Sequence, residues 1–133
     1  MIFIDASAYI GVLNPSDSNH AKALELSKLF LTQEAHAMTS YAVLGEVLTI
    51  GSMRYNRQAA IAFVKDVFES KTKIVAENSE LRSKAFKIFQ AIKHKDVSWV
   101  DCYSFAIIEY YKIDKVFSFD KDFKKHTKAK LLE

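Results

Sequence analysis

Hydrophobic and polar positions along the chain change period repeatedly, and each change marks an element. Met1 to Ile4 is a short apolar run, β-branched and aromatic, without the alternation of a half-exposed strand, as expected of a strand buried on both faces. Ala6 to Leu13 reads as a short helix stopped by Asn14-Pro15, and Ser18 is placed to cap a longer one running to about Glu34, with Ala21, Leu24, Leu29 and Leu31 at roughly helical spacing. A second strand is expected over His36 to Thr39, followed by helices over about Ser40 to Gly51 and Arg57 to Ser70, and a third strand over Lys73 to Ala76. Between Ser79 and His94, Leu81, Ala85, Ile88, Phe89 and Ile92 recur at offsets of three and four with lysines opposite, the pattern of an amphipathic helix. Trp99 to Tyr111 predicts a more fully apolar helix, leading into a strand over Lys115 to Phe119.

Strands that alternate with helices imply βαβ units. The expected class is therefore α/β: a parallel sheet of four or five strands flanked by helices on both faces, with any ligand site at the carboxyl ends of the strands. The chain shows no internal repeat, low-complexity tract or linker, and its only cluster of turn-forming residues is Asn14 to Ser18. One domain over residues 1–133 is expected.

Composition narrows the picture further. At 50% hydrophobic and 26% charged residues, with three glycines and one proline, collagen-like, Pro/Gly-rich and disordered classes are excluded. The lone Cys102 cannot form an internal disulfide, which fits a reducing compartment, the cytoplasm by default. Met1 to Ile4 meets Asp5 at once and carries no basic flank, so no leader is expected. The apolar runs are far shorter than the ~18 residues of a spanning helix, so neither is a membrane segment. A net charge of +3 permits a polyanionic partner without demanding one.

Chemistry enters through acids. Asp5 ends the first strand, and Asp120 and Asp122 follow the last clear one, so two strand ends present carboxylates to one edge of the expected sheet. Glu46 lies at helical offsets from Ala42, Val43, Thr49 and Ile50, on a mostly apolar face, and Asp101 lies in the first turn of an apolar helix beside Ser104 and Phe105. Each has a structural alternative. Asp5 can cap the helix starting at Ala6, Ser98 to Asp101 has capping-box spacing, Glu46 can pair with a cation, and Asp120 can open a turn. Taken together, however, two unit charges ~4 Å apart repel by roughly 4 kcal/mol at an effective dielectric of ~20, so converging acids need a counter-ion. All-oxygen ligation selects a hard divalent cation, Mg2+ or Mn2+, which can activate water and neutralise charge on a phosphoryl group.

Four segments carry a resemblance to a known family: Phe3 to Ser7, Thr39 to Leu48, Val97 to Asp101, and Val116 to Phe123. In this order and spacing the chain resembles the PIN domains, and among them the VapC-like toxin ribonucleases of toxin-antitoxin pairs. The resemblance covers essentially the whole chain. It implies a Mg2+- or Mn2+-dependent endoribonuclease that cleaves RNA with a metal-activated water. Asp5, Glu46, Asp101 and Asp120 match the family's metal-site acids, Asp122 matches an optional fifth, and Ser7 matches a supporting hydroxyl. It also implies a homodimer and an antitoxin protein as partner. The chain departs from the family in its short ending, which leaves a final edge strand abbreviated to the region of Leu131 and Leu132.

Phosphate contacts would come from Arg54, Arg57, Lys93, Lys95, Lys121, Lys124 and Lys125, although any single lysine is more simply a solvated surface residue. His20, His36, His94 and His126 show no paired spacing with one another or with Cys102, which disfavours zinc. Cys102, inside an apolar helix beside Asp101, reads as a small buried side chain. Gly11, Gly45 and Gly51 fit no phosphate-binding loop, so a nucleotide cofactor is not expected. Asp5-Ala6-Ser7 lacks the second aspartate of a haloacid-dehalogenase-type phosphatase. Two alternatives stand beside the toxin ribonuclease: a PIN nuclease for RNA processing or structured DNA, and a non-catalytic RNA- or protein-binding module whose acids only cap helices.

Overall fold

The computed structural model describes residues 1–32 and 36–132. Strands β1 (Ile2–Ile4), β2 (Ala37–Ser40), β3 (Lys73–Val75), β4 (Lys115–Phe117) and β5 (Lys130–Leu132) alternate with helices α1 (Ala6–Leu13), α2 (His20–Thr32), α3 (Tyr41–Arg54), α4 (Arg57–Glu69), α5 (Ser79–Ala91), α6 (Trp99–Tyr110) and α7 (Asp122–His126). All strand pairs are parallel, in the order β3-β2-β1-β4-β5. The α/β class and the parallel sheet are as expected, and the abbreviated ending is a genuine fifth strand, with Leu131 opposite Val116.

Right-handed crossovers leave α1–α4 on one face and α5–α7 on the other. The helix contacts group accordingly: α1 packs on α2 and α3, α3 on α4, and α5 on α6. Both faces of the sheet are thus covered, which is why β1 is buried along its length and reads as an unbroken apolar run. Phe3, Phe105, Phe117, Phe123, Met38 and Leu44 are among the largest fully buried side chains. Among the described residues no helix is long and apolar enough to cross a membrane.

Local chemistry sets the helix ends. Asp5 caps α1, Ser40 caps α3, Asn56 caps α4 and Asn78 caps α5, each side chain accepting a backbone N–H of the first turn. Ser98 and Asp101 form a full capping box at the start of α6. Three expectations need correction. Helix α2 opens at His20, so Ser18 is not its cap; the turn before it is instead held by Asp17, whose carboxylate accepts from Asn19 N–H at 2.9 Å. The side of α2 that packs inward carries Ala23 and Leu26, whereas Ala21, Leu24 and Leu29 are exposed; the expected end near Glu34 and the Leu31 side chain lie outside the described residues. Finally, β4 stops at Phe117, two residues early, and beyond it the N–H groups of Phe119 and Asp120 are taken by the hydroxyls of Ser7 and Ser118. Helix α7 was not expected at all.

Candidate metal centre

The strand order turns back at β1: the chain leaves it toward β2 on one side, and β4 joins it from the other. Loops leaving β1 and β4 therefore diverge, opening a crevice beyond the carboxyl ends of these two strands. Asp5 and Asp120 lie on those two loops. A cavity of about 620 Å3 occupies the crevice, and Asp5, Glu46, Asp101 and Asp120 all line it. They come from the end of β1, from α3 and α6, and from the segment after β4, so four distant stretches of chain supply one set of carboxylates.

Asp5 is both a helix cap and a cavity residue, so the two readings of it coexist. It is buried, and one carboxylate oxygen, Oδ2, accepts from Ser7 N–H at 3.3 Å, Ser7 Oγ–H at 2.8 Å and Ser118 Oγ–H at 2.9 Å. These two hydroxyls in turn accept the backbone N–H groups of Phe119 (2.9 Å) and Asp120 (3.0 Å). The chain of bonds ties the end of β4 to the end of β1 and fixes the Asp5 carboxyl by one oxygen. Its other oxygen, Oδ1, is buried with no hydrogen-bond partner among the described residues. An unsatisfied carboxylate oxygen is costly to bury, and one carried by a residue that lines a polar cavity suits a cationic ligand.

The remaining acids register one another's charge. Glu46 is half-buried, and its pKa is pushed up to about 7, by burial first and then by the charges of Asp5, Asp101 and Asp120. Asp101 rises to about 6; burial dominates, with Asp5 and Asp120 adding to it and the hydrogen bonds from Ser98 opposing it. Asp120 is also raised, mainly by burial, with the neighbouring charges of Asp122 and Asp5 contributing. Beyond burial, the charges of neighbouring acids thus raise the pKa of Glu46, Asp101 and Asp120 alike. Among the described residues, no three His, Cys, Asp or Glu side chains stand in a ready ligating arrangement; what the fold brings together is the donor set. That set fits a hard divalent cation, because it is wholly oxygen, carries an excess of negative charge, and includes the unsatisfied Oδ1 of Asp5.

Other expected residues separate clearly. Ser7, Arg54 and Lys121 line the cavity. Asp122 does not; its backbone N–H donates to Asp120 Oδ1 at 2.9 Å, so it orients Asp120 from the start of α7. Arg57, Lys93, Lys95, Lys124 and Lys125 are exposed and stand outside the cavity wall. Cys102 is buried, and its thiol is pushed up by burial and then by Asp101, which makes it a packing residue. Four contributors escaped sequence reasoning. Ser118 is fully buried and central to the hydrogen-bond relay, Asp17 and Asn19 border the cavity from the α1–α2 loop, and Asp96 borders it ahead of α6. The repeated hydroxyl of Ser7 and Ser118, each beside a strand-end acid, is the signal that could have revealed the first.

Comparison with known proteins bears on the fold and the family. The chain is 28% identical over 123 residues, 92% of each sequence, to a protein of Mycobacterium tuberculosis named 23S rRNA-specific endonuclease VapC20. The crystal structure of M. tuberculosis VapC20, described as a sarcin-ricin loop cleaving toxin, superposes with a TM-score of 0.82 at 26% identity over 94% of each chain. The structure of VapBC2 from Rickettsia felis bound to a promoter DNA fragment shares the fold, with a TM-score of 0.63 at 15% identity, covering 99% of this chain and 98% of that one. The PIN domain family model matches residues 2–129. A parallel sheet with its acids gathered where the strand order turns back, and a family match along almost the whole chain, lead to one conclusion: the protein belongs to the PIN domain family.

Proposed function

We propose that the protein is a divalent-metal-dependent endoribonuclease, the toxin of a toxin-antitoxin pair, acting on structured RNA. The observation that carries the reading is the convergence of Asp5, Glu46, Asp101 and Asp120 on one cavity, with the free oxygen of Asp5 buried in its wall. The likeness to VapC20 points to ribosomal RNA as the substrate class. The likeness in fold to the toxin of a VapBC complex supports an antitoxin partner. A homodimer and a cytoplasmic location complete the proposal.

Asp5, Glu46, Asp101 and Asp120 would hold the ion, Mg2+ or Mn2+. When bound, such an ion activates water for attack on phosphorus and offsets charge on the phosphate and the leaving oxygen. The chain's own residues do the rest. Ser7 and Ser118 hold Asp5 Oδ2, which fixes the carboxyl and leaves Oδ1 as the oxygen outside the relay. The capping box holds Asp101 by one oxygen in the same way, Oδ2 accepting from Ser98 N–H at 3.0 Å. Arg54 and Lys121, both in the cavity wall, supply the positive charge that brings an RNA phosphate to a negative cavity.

The test is cleavage of structured and single-stranded RNAs by purified protein, with Mn2+ or Mg2+, with chelator, and with Asp101→Asn as control. Metal-dependent cutting that disappears in the variant is expected. Equal cutting by the variant, or in chelator, would overturn the assignment.

A further inference from the structure

We propose that a second cavity, at the opposite ends of the strands from the acids, is a separate RNA contact that holds a single-stranded segment outside the one being cut. As an exosite this rests on the nuclease reading; as a binding site it does not. The cavity, about 930 Å3, lies between the carboxyl-terminal half of α6, the turn before β4, and the segment joining α7 to β5. Lys112 and Asp114 precede β4, and Ala129 precedes β5, which places the cavity at the amino ends of these strands.

Its charge is unbalanced. The two acids in its wall are already engaged: Glu109 by Lys84 at 3.1 Å and Asp114 by the amino terminus at 3.1 Å. Lys112, Lys125 and Lys128 have no carboxylate partner among the described residues. The floor is apolar, with Phe105 buried beneath the His126 ring at a centroid distance of 5.3 Å, and Tyr110 stands partly exposed at the rim. Unpaired ammonium groups around an aromatic and apolar surface suit a phosphate-linked base, which stacks while its phosphates meet the lysines. Phosphate alone would leave the apolar floor unused.

Two further observations point the same way. Helix α7 spans about 7.5 Å at 1.5 Å per residue. Lys121 before it lines the acid cavity, while Lys125 and His126 near its end line this one, so basic residues lead from one cavity to the other. Lys112 closes α6 in the left-handed region at φ 52°, with Ile113 N–H donating to Ile108 C=O at 2.9 Å, in the position where helices most often place glycine. A lysine there carries backbone strain that glycine would relieve and holds its charge at the cavity.

The experiment measures binding of a fluorescein-labelled single-stranded RNA of about twelve nucleotides to the full chain in chelator, across a salt series. Each phosphate-contacting lysine contributes about 0.7 to the slope of log K against log salt. Lys112→Gly with Lys128→Gln should lower the slope by about 1.4, and Lys128→Gln alone by about 0.7, with the melting temperature of each variant not below that of the wild type by more than ~2 °C. Unchanged slopes would overturn the site, as would a poly-glutamate peptide that binds more tightly than the RNA and loses its binding in the double variant. Metal-dependent cutting is measured in parallel. Cutting with unchanged slopes removes this inference alone, and lowered slopes without cutting remove the nuclease reading alone.

Discussion

Replacing Glu46 by Gln tests the carboxylate cluster without RNA or metal. Glu46 ionises near 7 in the folded protein instead of 4.5, because burial and three acidic neighbours oppose its charge. A raised carboxyl pKa stabilises the fold below the unfolded value, and that contribution is lost as pH rises through the folded one. Each tenfold change in proton affinity is worth about 1.36 kcal/mol, so the ionised Glu46 would cost about 3 kcal/mol; half-burial and solvent screening reduce this to about 1.5 kcal/mol. Gln keeps the shape and removes the charge. In chelator at about pH 8 the variant should be more stable by about 1.5 kcal/mol, which for a domain of this length is a melting temperature roughly 5 °C higher. At about pH 4.5 the gain should shrink to a few tenths of a kcal/mol, because Glu46 is then protonated when folded. Differential scanning fluorimetry across the pH series measures both. A variant no more stable than the wild type at the higher pH, or equally stabilised at both, would refute mutual repulsion at Glu46.

Other expectations follow from the same geometry. Mn2+ or Mg2+ at 100 times its dissociation constant should stabilise the wild type by about 2.7 kcal/mol at about pH 8, with the gain removed by chelator and reduced in Asp5→Asn; calorimetry with and without metal checks this. Ser118→Ala leaves Asp5 Oδ2 and Asp120 N–H each one partner short, so it should cost about 1–3 kcal/mol in denaturant unfolding and lower cleavage while leaving the metal dependence in place. Glycine-to-alanine changes in α3 should have opposite signs: a Cβ at Gly45 meets nothing within 4 Å, whereas one at Gly51 meets Leu13 Cδ2 at 2.9 Å and Ala60 Cβ at 3.2 Å. Gly45→Ala should gain about 0.5–1 kcal/mol and Gly51→Ala should lose about 1 kcal/mol or more, as read by urea unfolding.

The sequence by itself determined the class of fold and singled out Asp5, Glu46, Asp101 and Asp120, the acids that line the cavity. Helix α1 is legible to its ends, because Asp5 caps it and Asn14-Pro15 stops it, and α6 because its capping box precedes a run of apolar residues. These are local interactions between residues a few positions apart, and periodicity records them directly. Asp5, Asp101 and Asp120 stand out because each sits at a strand end or a helix start.

What the tertiary structure decided is which distant groups meet. Helix α7 is only five residues long, too short to display a period. Ser118 reads as the continuation of a strand, and only the approach of β4 to β1 gives its hydroxyl the Asp5 carboxylate to bind. The basic residues look alike along the chain, yet folding sends Arg54 and Lys121 to the acid cavity and Lys125 to the other. The raised pKa of Glu46 comes first from burial and then from Asp5, Asp101 and Asp120, none of them near it in sequence. Charge interactions and desolvation depend on separation in space and on burial, and a local pattern of hydrophobic and polar residues carries neither for segments far apart in the chain.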